Sequence, residues 1–94
     1  MREQTGRNIV EKFTREKAEE ILNDDVKMSI LNILNNSGPL SFGDILRNLG
    51  ISQPSGTSHI LELKSLGLID KTVDPPNYNL VPERYAILIS YQQE

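Results

Sequence analysis

The sequence has no cysteine, no tryptophan and a single histidine, His59. Structural zinc sites, iron–sulfur clusters, thiol redox chemistry and a disulfide framework all need side chains that are missing, so no metal is expected. Long hydrophobic runs are also missing. No stretch approaches the roughly 20 apolar residues of a membrane-spanning helix, and Met1 to Asn8 is polar, with no signal-peptide pattern. Nor is there a basic excess: ten Lys and Arg face thirteen Asp and Glu, giving a net charge of −3. That excludes a protein held to nucleic acid by bulk charge. There is no glycine-rich phosphate loop, and one histidine without cysteine assembles no catalytic constellation. The expectation is one small cytoplasmic domain of 94 residues, neither an enzyme nor a cofactor carrier.

The order of elements carries more information than the composition. Residues 1–8 read as a flexible tail, and 9–94 as a single domain. A first helix is expected over 9–22, capped by Asn8 with Glu11 completing a capping box; Thr14 is a rival start. A second follows with Asn23 as its cap, Asp24 and Asp25 in its first turn, and Val26, Ile30, Ile33 and Leu34 on one face. Ser37-Gly38-Pro39 ends it. After an extended link at Pro39-Leu40, Ser41 caps a short amphipathic helix marked by Phe42, Ile45, Leu46 and Leu49, which Gly50 stops. Ser52 caps the next helix, with Pro54 in its first turn, and Gly67 ends it. Gly56, His59, Ile60, Leu63 and Leu66 fall in one sector of that helix, opposite Pro54, Thr57, Ser58, Leu61 and Ser65.

Leu68 to Val73 and Tyr78 to Val81 read as two strands around an Asp74-Pro75-Pro76-Asn77 turn. Pro82 starts a terminal helix over 82–92 that is apolar almost all round. This is a mainly α chain with a small β-hairpin. Its order is that of a winged helix-turn-helix: a three-helix core, a helix-turn-helix about 41–66 and a wing about 68–81, flanked by terminal helices at 9–22 and 82–92. In that arrangement one helix braces the next, which lies in the DNA major groove where base edges carry a distinctive donor and acceptor pattern.

Four segments carry a family resemblance. Gly38-Pro39-Leu40-Ser41-Phe42-Gly43-Asp44-Ile45, Leu49-Gly50-Ile51-Ser52-Gln53-Pro54-Ser55, Ser58-His59-Ile60 and Leu66-Gly67-Leu68-Ile69 together resemble ArsR-type winged-helix transcriptional regulators over roughly residues 21–82. The resemblance implies a homodimer that binds a palindromic operator, usually as a repressor. Size and a short wing suit a small archaeal or viral regulator. Gly56 and Ser58 depart from the family pattern, which more often has a β-branched residue and a second histidine there. Glycine in a helix interior costs roughly 1 kcal/mol, and close approach of another helix is the expected reason for it.

The candidate DNA-contacting set follows from this placement. Ser52, Gln53, Pro54 and Ser55 open the reading helix, and Gln53 can pair bidentately with adenine. Ser55, Thr57 and Ser58 can reach phosphates or base edges. Ser41, Arg47, Lys64 and Lys71 are the nearby cap and cations, while Asn77 and Tyr78 lie on the wing. For Tyr78, packing on the core is an equal reading. His59 reads first as a packed, hydrogen-bonded side chain and second as a DNA contact. Glu16, Glu19, Glu20, Asp24 and Asp25 read as a solvated acidic face. Ile9, Phe13, Tyr85, Leu88, Ile89 and Tyr91 are the candidate dimer interface, because the terminal helix has more apolar surface than one stripe requires. The rival function is a winged-helix protein-interaction module that binds no DNA.

Overall fold

The sequence supplies a capping side chain at most of the helix starts, and these caps fix the register of the structure. The computed structural model describes residues 13–93. In α1 (Arg15–Leu22) the Thr14 hydroxyl accepts from the Lys17 amide at 3.2 Å. In α2 (Asp25–Ser37) the Asp24 carboxylate accepts from the Lys27 amide at 3.0 Å. In α3 (Phe42–Leu49) and α4 (Gln53–Ser65) the hydroxyls of Ser41 and Ser52 accept from the Asp44 and Ser55 amides at 3.1 and 3.3 Å. Each cap satisfies an amide that the helix itself leaves without a partner. Gly50 then closes α3 in the left-handed region, at φ 65°, where a side chain would be strained.

Two expected helix starts are corrected. The first helix does not run unbroken from residue 9, because Thr14 is extended (φ −98°, ψ 168°) and caps a helix that begins at Arg15. The expected Asn8–Glu11 capping box and the tail 1–8 lie outside the described residues. Asn23 does not cap α2 either. It ends α1, donating its amide to Glu19 and Ile21 carbonyls, and Asp24 caps instead. An acid at that position also meets the positive end of the helix dipole.

β1 (Ile69–Lys71) and β2 (Tyr78–Leu80) pair antiparallel, with Ile69 opposite Leu80 and Lys71 opposite Tyr78. The strands are shorter than the sequence pattern suggests. Beyond Lys71 the chain turns, because Thr72 donates its amide to the Asn77 carbonyl at 2.8 Å and its hydroxyl to the Pro75 carbonyl at 2.6 Å. Val73 is left 88% exposed at the tip. The link at Leu40 does more than connect. Leu40 and Tyr78 exchange both backbone hydrogen bonds, at 3.1 and 2.7 Å, and so tie the entry to α3 onto the hairpin.

α5 (Pro82–Ser90) follows, and Tyr91–Gln93 forms a 3-10 turn, so the terminal helix is shorter than expected. The core is a single cluster. Ala18 and Ile21 of α1, Ile30, Leu31 and Leu34 of α2, Ile45 of α3, and Ile60 and Leu63 of α4 meet Leu68, Ile69 and Leu88. Burying each large aliphatic side chain contributes about 1.5–3 kcal/mol. Three packed helices followed by a hairpin, with α3 bracing α4, make a winged helix-turn-helix. No described helix is long and apolar enough to cross a membrane.

Candidate nucleic-acid interface

The two faces of α4 do different things. Inward, Gly56, Ile60 and Leu63 are buried. A Cβ on Gly56 would overlap Leu46 Cδ2 and come within 3.2 Å of Phe42 Cε1, so glycine is what allows α3 and α4 to approach. Outward, Gln53, Pro54, Thr57, Ser58 and Leu61 are exposed. Among the described residues, the side chains of Gln53, Thr57 and Ser58 make no hydrogen bond, and Leu61 is 59% exposed. A rigid helix thus presents a neutral, polar face whose donors and acceptors are uncommitted.

The wing stands beside that face. Lys71 and Tyr78 are cross-strand partners, and the Lys71 ammonium lies 5.6 Å from the centre of the Tyr78 ring. This cation–π contact holds the lysine over the hairpin. Phe42, Thr57, Ile60, Leu61, Lys71 and Tyr78 line a shallow cleft of about 200 Å³ between α4 and the wing. The structure therefore brings Thr57, Lys71 and Tyr78 together from three separate stretches of sequence. Tyr78 is half-buried and packs on the core, so its ring serves the fold and carries the lysine.

Several other candidate residues make hydrogen bonds within the fold. Ser41 and Ser52 act through their hydroxyls as helix caps. The Ser55 hydroxyl lies 3.3 Å from His59 Nδ1, and the Ser55 carbonyl oxygen is 2.7 Å from the same nitrogen. A carbonyl only accepts, so Nδ1 carries the proton and donates. His59 Nε2 then faces Asp24 Oδ2 at 3.7 Å. His59 is the packed, hydrogen-bonded side chain of the first sequence reading. Arg47 is exposed and paired with Asp44 one turn back. Lys64 is exposed near the far end of α4. Asn77 holds the wing turn, with its amide donating to Thr72 Oγ1 at 3.1 Å.

One arrangement was not foreseen. Lys27, with its side chain only 12% exposed, reaches Asp24 at 3.0 Å and Glu62 of α4 at 2.6 Å. Partial burial alone would push the Asp24 carboxyl up, but hydrogen bonds from the Lys27 amide and ammonium outweigh it and hold the carboxyl below its ordinary value. Burial likewise opposes charge on Lys27, and the hydrogen bonds to Glu62 and Asp24 outweigh it and raise the ammonium. Asp24 is therefore not part of a free acidic face. It joins Lys27, His59 and Glu62 in a polar clamp between α2 and α4. The Asp24–Lys27 spacing is a readable helix pair; Glu62 gives no signal in sequence, because its approach depends on how the helices cross.

The terminal elements answer the dimer expectation residue by residue. Leu88 is fully buried in the core and offers no surface to a partner. Tyr85 is half-buried, and its hydroxyl donates to Asn32 Oδ1 at 3.2 Å. Phe13 and Tyr91 meet edge to face, 6.3 Å between ring centres. Ile89 is half-buried, and Ile9 lies outside the described residues. Ile87, left out of the expected set, is 42% exposed. The outer face of α5 carries Glu83, Ala86 and Ser90 beside it, so the helix is less uniformly apolar than its sequence suggests.

No curated protein matches the chain. A family profile described as "Bacterial regulatory protein, arsR family" matches residues 24–71, just over half of the sequence. The match runs from the cap of α2 through α3 and α4 to the end of β1, the elements that build the exposed face and its brace. That family is one of DNA-binding regulators rather than enzymes. The chain belongs to the ArsR family of regulatory proteins.

Proposed function

We propose that this regulator acts as a homodimeric repressor that reads a palindromic operator, with α4 in the major groove and the wing on the flanking backbone. The observation that carries the reading is the uncommitted face of α4. Gln53, Thr57 and Ser58 are side chains that hydrogen-bond base edges or phosphates, on a helix rigidly held by Gly56 and the polar clamp. Lys71 over Tyr78, Lys64 and Arg47 supply the backbone contacts. Phe13, Tyr85, Ile87, Ile89 and Tyr91 supply the dimer surface, which sets half-sites about one helical turn apart.

The test is a fluorescence-anisotropy titration of the full chain against duplexes tiling the DNA upstream of its own gene, with a shuffled duplex as reference. Preference for one palindromic segment, lost in Gln53→Ala/Thr57→Ala, is the expected result. Equal binding to all duplexes overturns the operator reading, and no binding together with capture of a stable protein partner overturns it in favour of a protein-interaction module. Sedimentation at tens of micromolar tests the dimer, and a strictly monomeric species removes it.

A further inference from the structure

A second, larger cleft of about 520 Å³ adjoins the first and shares Leu61 with it, where the last turns of α4, β1 and the start of α5 meet. Its walls are largely apolar, formed by Leu61, Gly67, Ile69 and Val81. Four polar side chains share the lining: Lys64, Ser65, Asp70 and Arg84. Two of them are engaged locally. The Ser65 hydroxyl donates to the Glu62 carbonyl at 2.8 Å, and Asp70 Oδ1 accepts the Lys71 amide at 2.9 Å. The two cations are not. Among the described residues Lys64 makes no ion pair, and Arg84 lies 5.9 Å from the Phe13 ring centre, a contact that leaves its N–H donors unused.

We propose that this cleft binds a small amphipathic organic anion, an apolar body carrying one carboxylate or sulfonate. The volume lies within the range of drug-sized ligand sites, which are apolar with a few placed polar groups. Leu61, with its large exposure, gains most from being covered. Lys64 and Arg84, from α4 and α5, outweigh Asp70 in charge, so the lining favours an anionic head over a cationic one. The bound molecule also touches α4 and β1 together. Its effect on DNA binding rests on the function proposed above; its binding does not, so the two fail separately.

The experiment titrates the full chain with anilinonaphthalene sulfonate, then displaces it with decanoate, decanol or decylammonium. Saturable binding of one probe per chain is expected, with decanoate displacing at least about tenfold better than the neutral and cationic analogues. Amide shift changes should centre on Gly67, Ile69, Asp70 and Val81. Leu61→Asp and Lys64→Glu should each weaken binding about tenfold, equivalent to one decade in Kd, while Lys17→Glu on α1 should not. Arg84→Glu replaces Leu61→Asp if circular dichroism shows the latter unfolded. No saturable binding, equal displacement by all three analogues, shift changes confined to other sites, or unchanged affinity in the charge variants would each overturn the proposal.

Discussion

Gly56 of α4 lies against Leu46 of α3 so closely that a methyl on Gly56 would overlap Leu46 Cδ2 and the leucine would have to turn aside. This contact sets the spacing between the brace and the helix it supports. Without it, the Thr14, Asp24, Ser41 and Ser52 caps would still start each helix but would not fix how α3 and α4 cross.

Gly56→Ala gains about 1 kcal/mol of helix propensity but must displace Leu46, and overpacking costs about 1–3 kcal/mol. A net loss of up to about 2 kcal/mol is expected, with Gly56→Val worse. Urea unfolding measures both. Adding Leu46→Ala to Gly56→Ala should recover part of the loss, because the two changes share one space. A stabilised Gly56→Val would show that the close approach is not needed.

Lys27→Met should cost about 1 kcal/mol, near the upper end for ion pairs that keep some solvent contact. Glu62→Gln should cost less, since the Glu62 side chain is 61% exposed. A double-mutant cycle of the two reports the coupling, and none would mean that Lys27 rests on Asp24 alone.

The clamp also sets a pH dependence with a definite sign. Asp24 is held below its ordinary 3.8, so its contribution is present above that value and lost as pH falls through the lower, folded one. Lys27 is raised above its ordinary 10.5, so its contribution is present below that value and lost as pH rises through the higher, folded one. Asp24→Asn keeps a capping side chain while removing the charge. Unfolding free energies should separate wild type from Asp24→Asn above about pH 5, where the carboxylate is ionised in the folded and unfolded chains alike. The gap should close below the ordinary carboxylate value. A gap independent of pH in acid would show that the cap alone matters.

Much of this was legible in the sequence, for identifiable reasons. Caps, glycine stops and the i, i+3, i+4 stripes are local, so α3 and α4 read correctly from neighbours in the chain, and the hairpin reads correctly apart from its shorter strands. Gly56 was legible as a close approach because it breaks a helical preference without a local reason. What was lost depends on contacts distant in sequence. Leu40 bridging Tyr78 needs the α3 entry to meet the wing. Leu88 reads as spare apolar surface until α5 is laid on the core. Asp24 reads as solvated until α4 brings His59 and Glu62 against it.

The charge of the reading block sharpens the last prediction. Within residues 41–73, Arg47, Lys64 and Lys71 are balanced by Asp44, Glu62 and Asp70, and Arg47 is already paired with Asp44. Few phosphates can therefore be neutralised per chain. Operator affinity should fall with salt at a log–log slope of no more than about −3 per chain, since each phosphate contact contributes about 0.9. Lys71→Gln should weaken all duplexes alike and reduce that slope by about 1. Gln53→Ala should instead cost about 1–3 kcal/mol on the preferred duplex alone, with the slope unchanged. Anisotropy titrations at several salt concentrations separate the two variants. A slope much steeper than this in the wild type would place the binding energy in bulk charge, where the composition supplies little, and would move the contact surface away from α4.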